Sequence, residues 1–457
     1  MKKCKSWSKL SKIPSELLSA VNFLSKLIER VVSTQLNTYL HNNNLFAKCQ
    51  SAYRAGYSTE TALIRVQNDV LRSLDKRKDV ILILLDLSSA FDTIDHDILL
   101  HRLRHRFGIT GVVLDWFNSY IRGRTQSVCV KSVLSEEQSL FCGVPQGSVL
   151  GPILFSLYVA PLEDIINNHG LDYMMYADDT QSYITCDGDQ VPVATIESCL
   201  GEIRKWMRGN LLALNDGKTE VVHFSSKFGC GGPVTRCNFR IGDVSVYPSN
   251  SVRNLGVTMD SACTLSDHIT NICRSASHAI WKIGKIRDLL DQHTTEILVH
   301  ALITSRLDYC NSLLFGLPSF EIGKLQAIQN SAARLVSRKK KRDHITPVLQ
   351  NLHWLPVLKR IDFKILCLTY KIITGQAPDY LAELLTIRHT GRTLRSQSSG
   401  AIILHQPVCN TVYYGNRAFS VCAPRLWNAL PFELRLANSY MNFRNQLKTY
   451  LFRSFYC

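Results

Sequence analysis

No run of apolar residues approaches the roughly 18 that a membrane-spanning helix needs; Val80 to Leu85 is the best stretch, and it stops at Asp86. Lys2, Lys3 and Lys5 open the chain, but the apolar core of a secretory signal does not follow. The 15 cysteines include no Cys-x-x-Cys pair; their odd number and scatter read as reduced, mostly buried thiols of an intracellular protein. There is no internal repeat and no low-complexity tract. Acidic residues are scarce relative to basic ones, 37 against 53, which leaves a formal net charge of +16. Such an excess fits a polyanionic partner without saying which one. With 46% hydrophobic and 20% charged residues the chain is not mostly disordered. Its 457 residues allow about three domains, each able to bury a core.

Four segments separate along the chain. Residues 1–78 read as helical: Leu17, Val21, Leu24, Leu27, Ile28 and Val31 fall at helical spacing, Asn42, Asn43 and Asn44 break the pattern, and a second helix runs from Thr59, its N-cap, to Leu74. Residues 79–260 mix strands and helices. Val80–Leu85 has the continuous apolar character of a strand buried on both faces. Helices are predicted over Ile98–Phe107, Trp116–Ile121 and Ile153–Tyr158, and strands over Ser127–Val133, Tyr173–Ala177, Thr180–Ile184 and Val221–Phe224. Residues 261–337 return to helical spacing, with Ile269, Ile272, Cys273, Ala276, Ile280 and Ile283 on one stripe. An unbroken basic run, Arg338 to Arg342, opens the last segment, 338–457, where helical stretches alternate with proline turns. The class is α+β.

Three features carry chemistry. Tyr176-Ala177-Asp178-Asp179 lies between two strand-like segments and places two carboxylates at a hairpin tip. Alone it is also an ordinary acidic turn. Asp86, however, ends a buried strand, and one acid at a strand end with two at a hairpin tip is the donor set of a two-Mg²⁺ phosphoryl-transfer site. Gly143-Val144-Pro145-Gln146-Gly147-Ser148-Val149-Leu150-Gly151-Pro152 is a rigid turn whose backbone can approach a flat ligand, with Gln146 as its long polar side chain. A plain loop before a core helix has the same glycines.

In this order, Leu85-Asp86-Leu87-Ser88-Ser89-Ala90-Phe91-Asp92, the Gly-Val-Pro-Gln-Gly loop and Tyr-Ala-Asp-Asp resemble the reverse transcriptases of non-LTR (LINE-type) retrotransposons, in particular the chicken-repeat-1 and LINE-2 group. Gln50 to Thr59 resembles that family's fingers motif, Leu214 to Glu220 its motif D, and Asn254-Leu255-Gly256-Val257 its primer grip. Arg306 to Asn311, Leu352 to Pro356 and Leu426 to Pro431 resemble stretches found after the polymerase, so the similarity runs from about residue 19 onward.

The resemblance implies a right-hand polymerase: fingers in 1–78, palm with inserted fingers elements in 79–260, helical thumb in 261–337 and a C-terminal helical region in 338–457. Asp86, Asp178 and Asp179 would hold two Mg²⁺ ions, with Mn²⁺ able to substitute. Phe91 would be the steric gate against a ribose 2′-hydroxyl, Gln146 and Gly147 would lie against the incoming nucleotide, and Arg54 would reach its triphosphate. Lys218 would be the general acid for the pyrophosphate, although a solvated surface lysine reads the same way. The partners implied are an RNA template, a DNA primer and dNTPs, with no membrane, and the site of action is nuclear. Two other readings stay open: a nucleic-acid-binding remnant that has lost turnover, and an RNA-dependent RNA polymerase, against which Phe91 argues.

The chain departs from the family pattern at its start, where Glu16 and Leu17 stand in place of Arg-Pro, and a preceding endonuclease has no room. This suggests a truncated or mis-joined N-terminus. No RNase H acid set or C-terminal zinc knuckle is seen. His96, His101 and His105 lack a metalloprotease pattern, since Arg102 follows His101, and read as a basic helix face. Cys230 and Cys237 read as loop thiols, Pro378-Asp379 as a turn, and Trp281, Trp354 and Trp427 as core anchors. The run Arg338–Arg342 reads equally as a nucleic-acid contact and as a solvated linker.

Overall fold

The computed structural model describes residues 23–88, 91–130, 133–145, 147–186, 191–226, 238–242, 244–388 and 402–456. Glu16, Leu17, Val21, Gln146, Cys230 and Cys237 therefore lie outside the described residues. In chain order the principal elements are α1 (Phe23–Asn42), α2 (Thr59–Asp75), β1 (Val80–Leu85), α3 (His96–His105), α4 (Gly111–Ile121), α5 (Gly151–Val159), β2 (Asp172–Tyr176) and β3 (Asp179–Thr185). They continue as α6 (Val193–Gly209), β4 (Glu220–Phe224), β5 (Ser251–Asn254), β6 (Val257–Asp260), α7 (Ser266–Ile286), α8 (Ser319–Ser337), α9 (Val357–Ile373), α10 (Phe419–Asn428) and α11 (Tyr440–Tyr456). The described residues fall into two compact units whose segments alternate: 23–47, 87–163 and 203–214 form the first, the remainder the second. The α+β class expected from the sequence is the class observed.

The first unit is largely helical. α3 packs on α4 and α5, and Leu99, Leu103, Phe107, Phe117 and Phe155 are buried in it. Where a strand was expected over Ser127–Val133, the chain forms two small antiparallel ladders, Thr125–Gln126 with Gln138–Ser139 and Cys129–Val130 with Val133–Leu134. Alternating side chains suit either arrangement, and Val133 and Leu134 are exposed.

The second unit is built on a four-stranded antiparallel sheet in the order β4-β1-β3-β2. β1 lies inside the sheet, and its unbroken apolar run is explained by burial on both faces. Val80 and Leu82 join the core made with Leu63, Val70 and Leu74 of α2, and Ile81, Ile83 and Leu85 on the opposite face are buried as well. The cap of α2 lies one residue earlier than expected: Ser58, not Thr59, is the N-cap, and its hydroxyl accepts from Thr61 N while the Thr61 hydroxyl accepts from Ser58 N. Ser58 and Thr59 have equivalent capping chemistry, so only the backbone geometry separates them.

The core of this unit continues without a break from α2 and the sheet through α7 and α8 into α9 and α10. Val336 and Val348, on either side of the basic run, both belong to it. Arg338, at φ +54°, ends α8 in the left-handed conformation, and residues 338–342 are largely exposed. Trp354 and Trp427 are core residues, as expected, but Trp281 is 54% exposed, with the Lys285 ammonium 3.8 Å from its ring centre. The stripe of α7 that is buried runs through Ile269, Ile272, Ala276, Ala279 and Ile283, and Trp281 falls off it. Among the described residues no helix is long and apolar enough to cross a membrane.

Candidate active site

The acidic cluster is made by the end of β1 and the β2–β3 turn. The β1–β3 register runs from Val80↔Thr185 to Leu85↔Thr180, so its next step sets Asp86 opposite Asp179. Pairing with β3 on one edge and with β4 on the other fixes this placement. Tyr176 pairs with Asp179, which leaves Ala177 and Asp178 as a two-residue turn. Ala177 adopts φ +58°, a conformation that costs a residue with a Cβ roughly 1 kcal/mol or more.

That turn is held by a residue whose role the sequence did not disclose. The Gln50 side chain is 2% exposed, and its Oε1 accepts from Ala177 N at 3.1 Å and from Ala52 N at 3.1 Å. Ser51 N donates to the Met175 carbonyl at 2.9 Å and Met175 N to the Cys49 carbonyl at 3.0 Å, so residues 49–51 run along β2 as an added partner. Gln50 heads the motif Gln50–Thr59, which is the signal that pointed to this segment; that its amide would satisfy the acidic turn is a tertiary fact.

The neighbouring acids bear on Asp179. The Asp179 carboxyl, though still reached by solvent, is raised above the ordinary aspartate value by partial burial and then by the charges of Asp178 and Asp86. Tyr53 is raised too, by burial first and by Asp178 next. Lys218 stands on a short turn fastened to the same strand end, since Asn215 N donates to the Asp86 carbonyl at 2.9 Å and Lys218 N to the Asn215 carbonyl at 3.0 Å. Its Nζ is 3.6 Å from Asp86 Oδ2, with 70% of the lysine side chain exposed. A pair so open contributes little stability. Arg54 lies in this unit as well; its guanidinium donates to the Gln50 carbonyl at 3.1 Å and covers the Tyr57 ring at 3.9 Å.

Phe91 and Gly147 belong to the first unit. Phe91 is half-buried, with its ring 4.9 Å from that of Phe155, and its carbonyl accepts from Val144 N at 3.0 Å. Gly143, at φ +87°, lies so close that a Cβ there would come within 3.0 Å of the Asp92 carbonyl oxygen. Any other residue would push the two segments apart. The structure thus joins Phe91 to the glycine loop in one unit and gathers Asp86, Asp178, Asp179, Lys218 and Arg54 in the other.

His101 and His105 stack on each other at 4.0 Å on an exposed face of α3, and His96 bonds to the Gly143 carbonyl at 2.9 Å. As the side chains stand, no three acidic, imidazole or thiol groups among the described residues converge tightly enough to hold a metal ion. The donor type and backbone placement of Asp86, Asp178 and Asp179 nonetheless suit a hard divalent cation, which would relieve the repulsion that adds to burial in raising Asp179.

Acids at a strand end and at the tip of the hairpin paired with it suit a polymerase. Residues 16–259 match the family of reverse transcriptases (RNA-dependent DNA polymerases), more than half of the chain, and the chain belongs to that family. It is 27% identical over 328 residues to the "Probable RNA-directed DNA polymerase from transposon X-element" of Drosophila melanogaster, covering 70% of this chain and 35% of that protein. It is 28% identical over 265 residues to the RNA-directed DNA polymerase from mobile element jockey of the same species, covering 57% and 28%. The chain spans about a third of the length of these curated relatives. Among solved structures it is similar to apo telomerase from Candida tropicalis, at 12% identity and a TM-score of 0.38, over 77% of this chain and 59% of that one.

Proposed function

We propose that this chain is the polymerase of a non-LTR retrotransposon of the chicken-repeat-1/LINE-2 kind, adding dNTPs to a DNA primer on an RNA template and acting in the nucleus. The observation that carries the reading is the β1–β3 register, which sets Asp86 opposite Asp179 beside the Ala177–Asp178 turn. Asp86, Asp178 and Asp179 would hold two Mg²⁺ ions, which supply charge neutralisation at the transferring phosphoryl group. The chain's own groups do the rest. Gln50 holds the acidic turn in place, Phe91 excludes a 2′-hydroxyl by its bulk, Gly147 lets the backbone approach the nucleotide, and Arg54 turns from Tyr57 to the triphosphate. Lys218 gives its proton to the departing pyrophosphate. The excess of basic residues tracks the template–primer backbone, so affinity falls as salt rises.

Primer extension on an RNA template, with dNTPs and NTPs in separate reactions, tests the substrate class. The wild-type chain extends with dNTPs, and Phe91→Ala raises NTP incorporation relative to dNTP by about tenfold or more. Equal discrimination in both proteins would mean that Phe91 only packs on Phe155. Lys218→Ala lowers the incorporation rate by roughly tenfold to a hundredfold. An unchanged rate would leave Lys218 as a surface partner of Asp86.

A further inference from the structure

Glu29 is buried where the sequence pattern suggests otherwise. On α1 the apolar Leu24, Leu27, Ile28 and Val31 are exposed, whereas Glu29 is 1% exposed. A buried carboxylate is costly unless its oxygens are satisfied. Glu29 Oε2 accepts from Val149 N at 2.6 Å and from Leu150 N at 3.3 Å, and Oε1 accepts from the Ser25 hydroxyl at 3.2 Å. The two amides sit at the start of α5, where N–H groups are left without helical partners and the helix dipole favours a negative charge. The Tyr120 hydroxyl is buried in the same place, pushed up to about 12 by burial, with the Glu29 charge among the further causes.

The same stretch is the end of the glycine loop, and the loop is fastened at both ends within this unit. At its start Gly143 N donates to the Ile94 carbonyl at 2.7 Å and Val144 N to the Phe91 carbonyl at 3.0 Å. At its end Ser148 N donates to the Pro145 carbonyl at 3.1 Å and Gly151 N to Ser148 Oγ at 2.8 Å. Gly151 has no room for a side chain, since a Cβ would stand 2.7 Å from Ser148 Oγ. Glu29 supplies the anchor from outside the loop.

We propose that Glu29 is a positioning residue for the incoming nucleotide: its carboxylate fixes the Gly147–Leu150 arm of the loop at the depth at which the backbone meets the nucleotide. Glu29 touches no substrate and acts through Val149 and Leu150. The proposal rests on the polymerase reading above, and it extends that reading to α1. Loss of the anchor lets the arm relax, which weakens nucleotide capture and leaves the grip on template and primer as it was.

The test is single-nucleotide addition by the full chain on a primed RNA template with Mg²⁺, together with hydrogen exchange of the backbone amides. Glu29→Ala raises the KM for dNTP by about tenfold or more, leaves the Kd for primed template unchanged, and speeds exchange at Val149 and Leu150. Glu29→Gln, which keeps one acceptor oxygen, recovers most of the loss; a purely structural glutamate would lower the amount of active enzyme without moving KM. Glu29→Asp, one methylene short, supplies the same readout where Glu29→Ala does not fold. An unchanged KM, or unchanged exchange at both amides, overturns the proposal. If the wild-type chain adds no nucleotide, the polymerase reading fails instead, and exchange at Val149 and Leu150 alone decides whether Glu29 holds the loop.

Discussion

Asp86→Asn and Asp178→Asn each lower dNTP addition on a primed RNA template by about a thousandfold or more, with the fold intact. Both positions lie where the sheet stops, at the end of β1 and in the β2–β3 turn, so neither carboxylate supports the core. Asp179→Asn lowers activity as well, and it has a second effect of opposite sign on stability. The Asp179 carboxyl is raised by partial burial and by Asp178 and Asp86. Over the window between the ordinary aspartate value and the raised one, the native chain keeps a proton that the unfolded chain has lost. Stability therefore falls as pH rises through that window and stays reduced at neutral pH. Removing the charge removes the penalty, so metal-free Asp179→Asn melts above the wild-type chain at pH 7. The difference closes as the pH falls below the ordinary aspartate range. A melting temperature equal to or below that of the wild-type chain at pH 7 would show that burial and the neighbouring charges do not penalise the Asp179 carboxylate.

The second large effect lies far from the acids. Asp75, at the end of α2, is 2% exposed and accepts from Asn410 N at 2.9 Å, Thr411 N at 2.7 Å and the Thr411 hydroxyl at 2.8 Å. Asp75→Ala strips these donors of their acceptor within a buried site. An orphaned buried donor costs about 1–3 kcal/mol, so the chain loses roughly 2–4 kcal/mol in denaturant unfolding. Gly415→Ala acts on the same junction from the other side, because its Cβ would stand 2.5 Å from Asp75 Oδ1. If Asp75→Ala unfolds within about 0.5 kcal/mol of the wild-type chain, residues 410 and 411 are not anchored as the structure has them. The expected loss also means that the segment after the basic run is stabilised by α2, in line with the core that runs unbroken from Val336 to Val348.

These two effects differ in how far the sequence anticipates them. β1 is legible to the residue because six consecutive apolar side chains ending in an acid leave few other solutions. The strands around the acidic turn are legible within two residues, since turn chemistry and alternation agree. The tip itself needed the structure, because the left-handed Ala177 has no sequence signature. Glu29, Gln50 and Asp75 are the residues that sequence reasoning missed, and for one reason. Each is a buried polar side chain that accepts from backbone amides brought near only by folding, up to 336 positions away for Asp75 and Thr411. Helical spacing on α1 identified the helix but not its inward face, where Glu29 takes the place expected of an apolar residue. Trp281 misled in the opposite direction, being aromatic and exposed.

Nucleotide addition by the wild-type chain across a Mg²⁺ titration, on an RNA template with a DNA primer, tests the central claim most directly. The claim is that Asp86, Asp178 and Asp179 form the metal-dependent centre of an RNA-directed DNA polymerase. The predicted result is a DNA product that rises saturably with Mg²⁺, vanishes with chelator and is absent with Asp178→Asn. Soluble, folded wild-type protein that yields no product, or a product indifferent to both Mg²⁺ and Asp178, would contradict it.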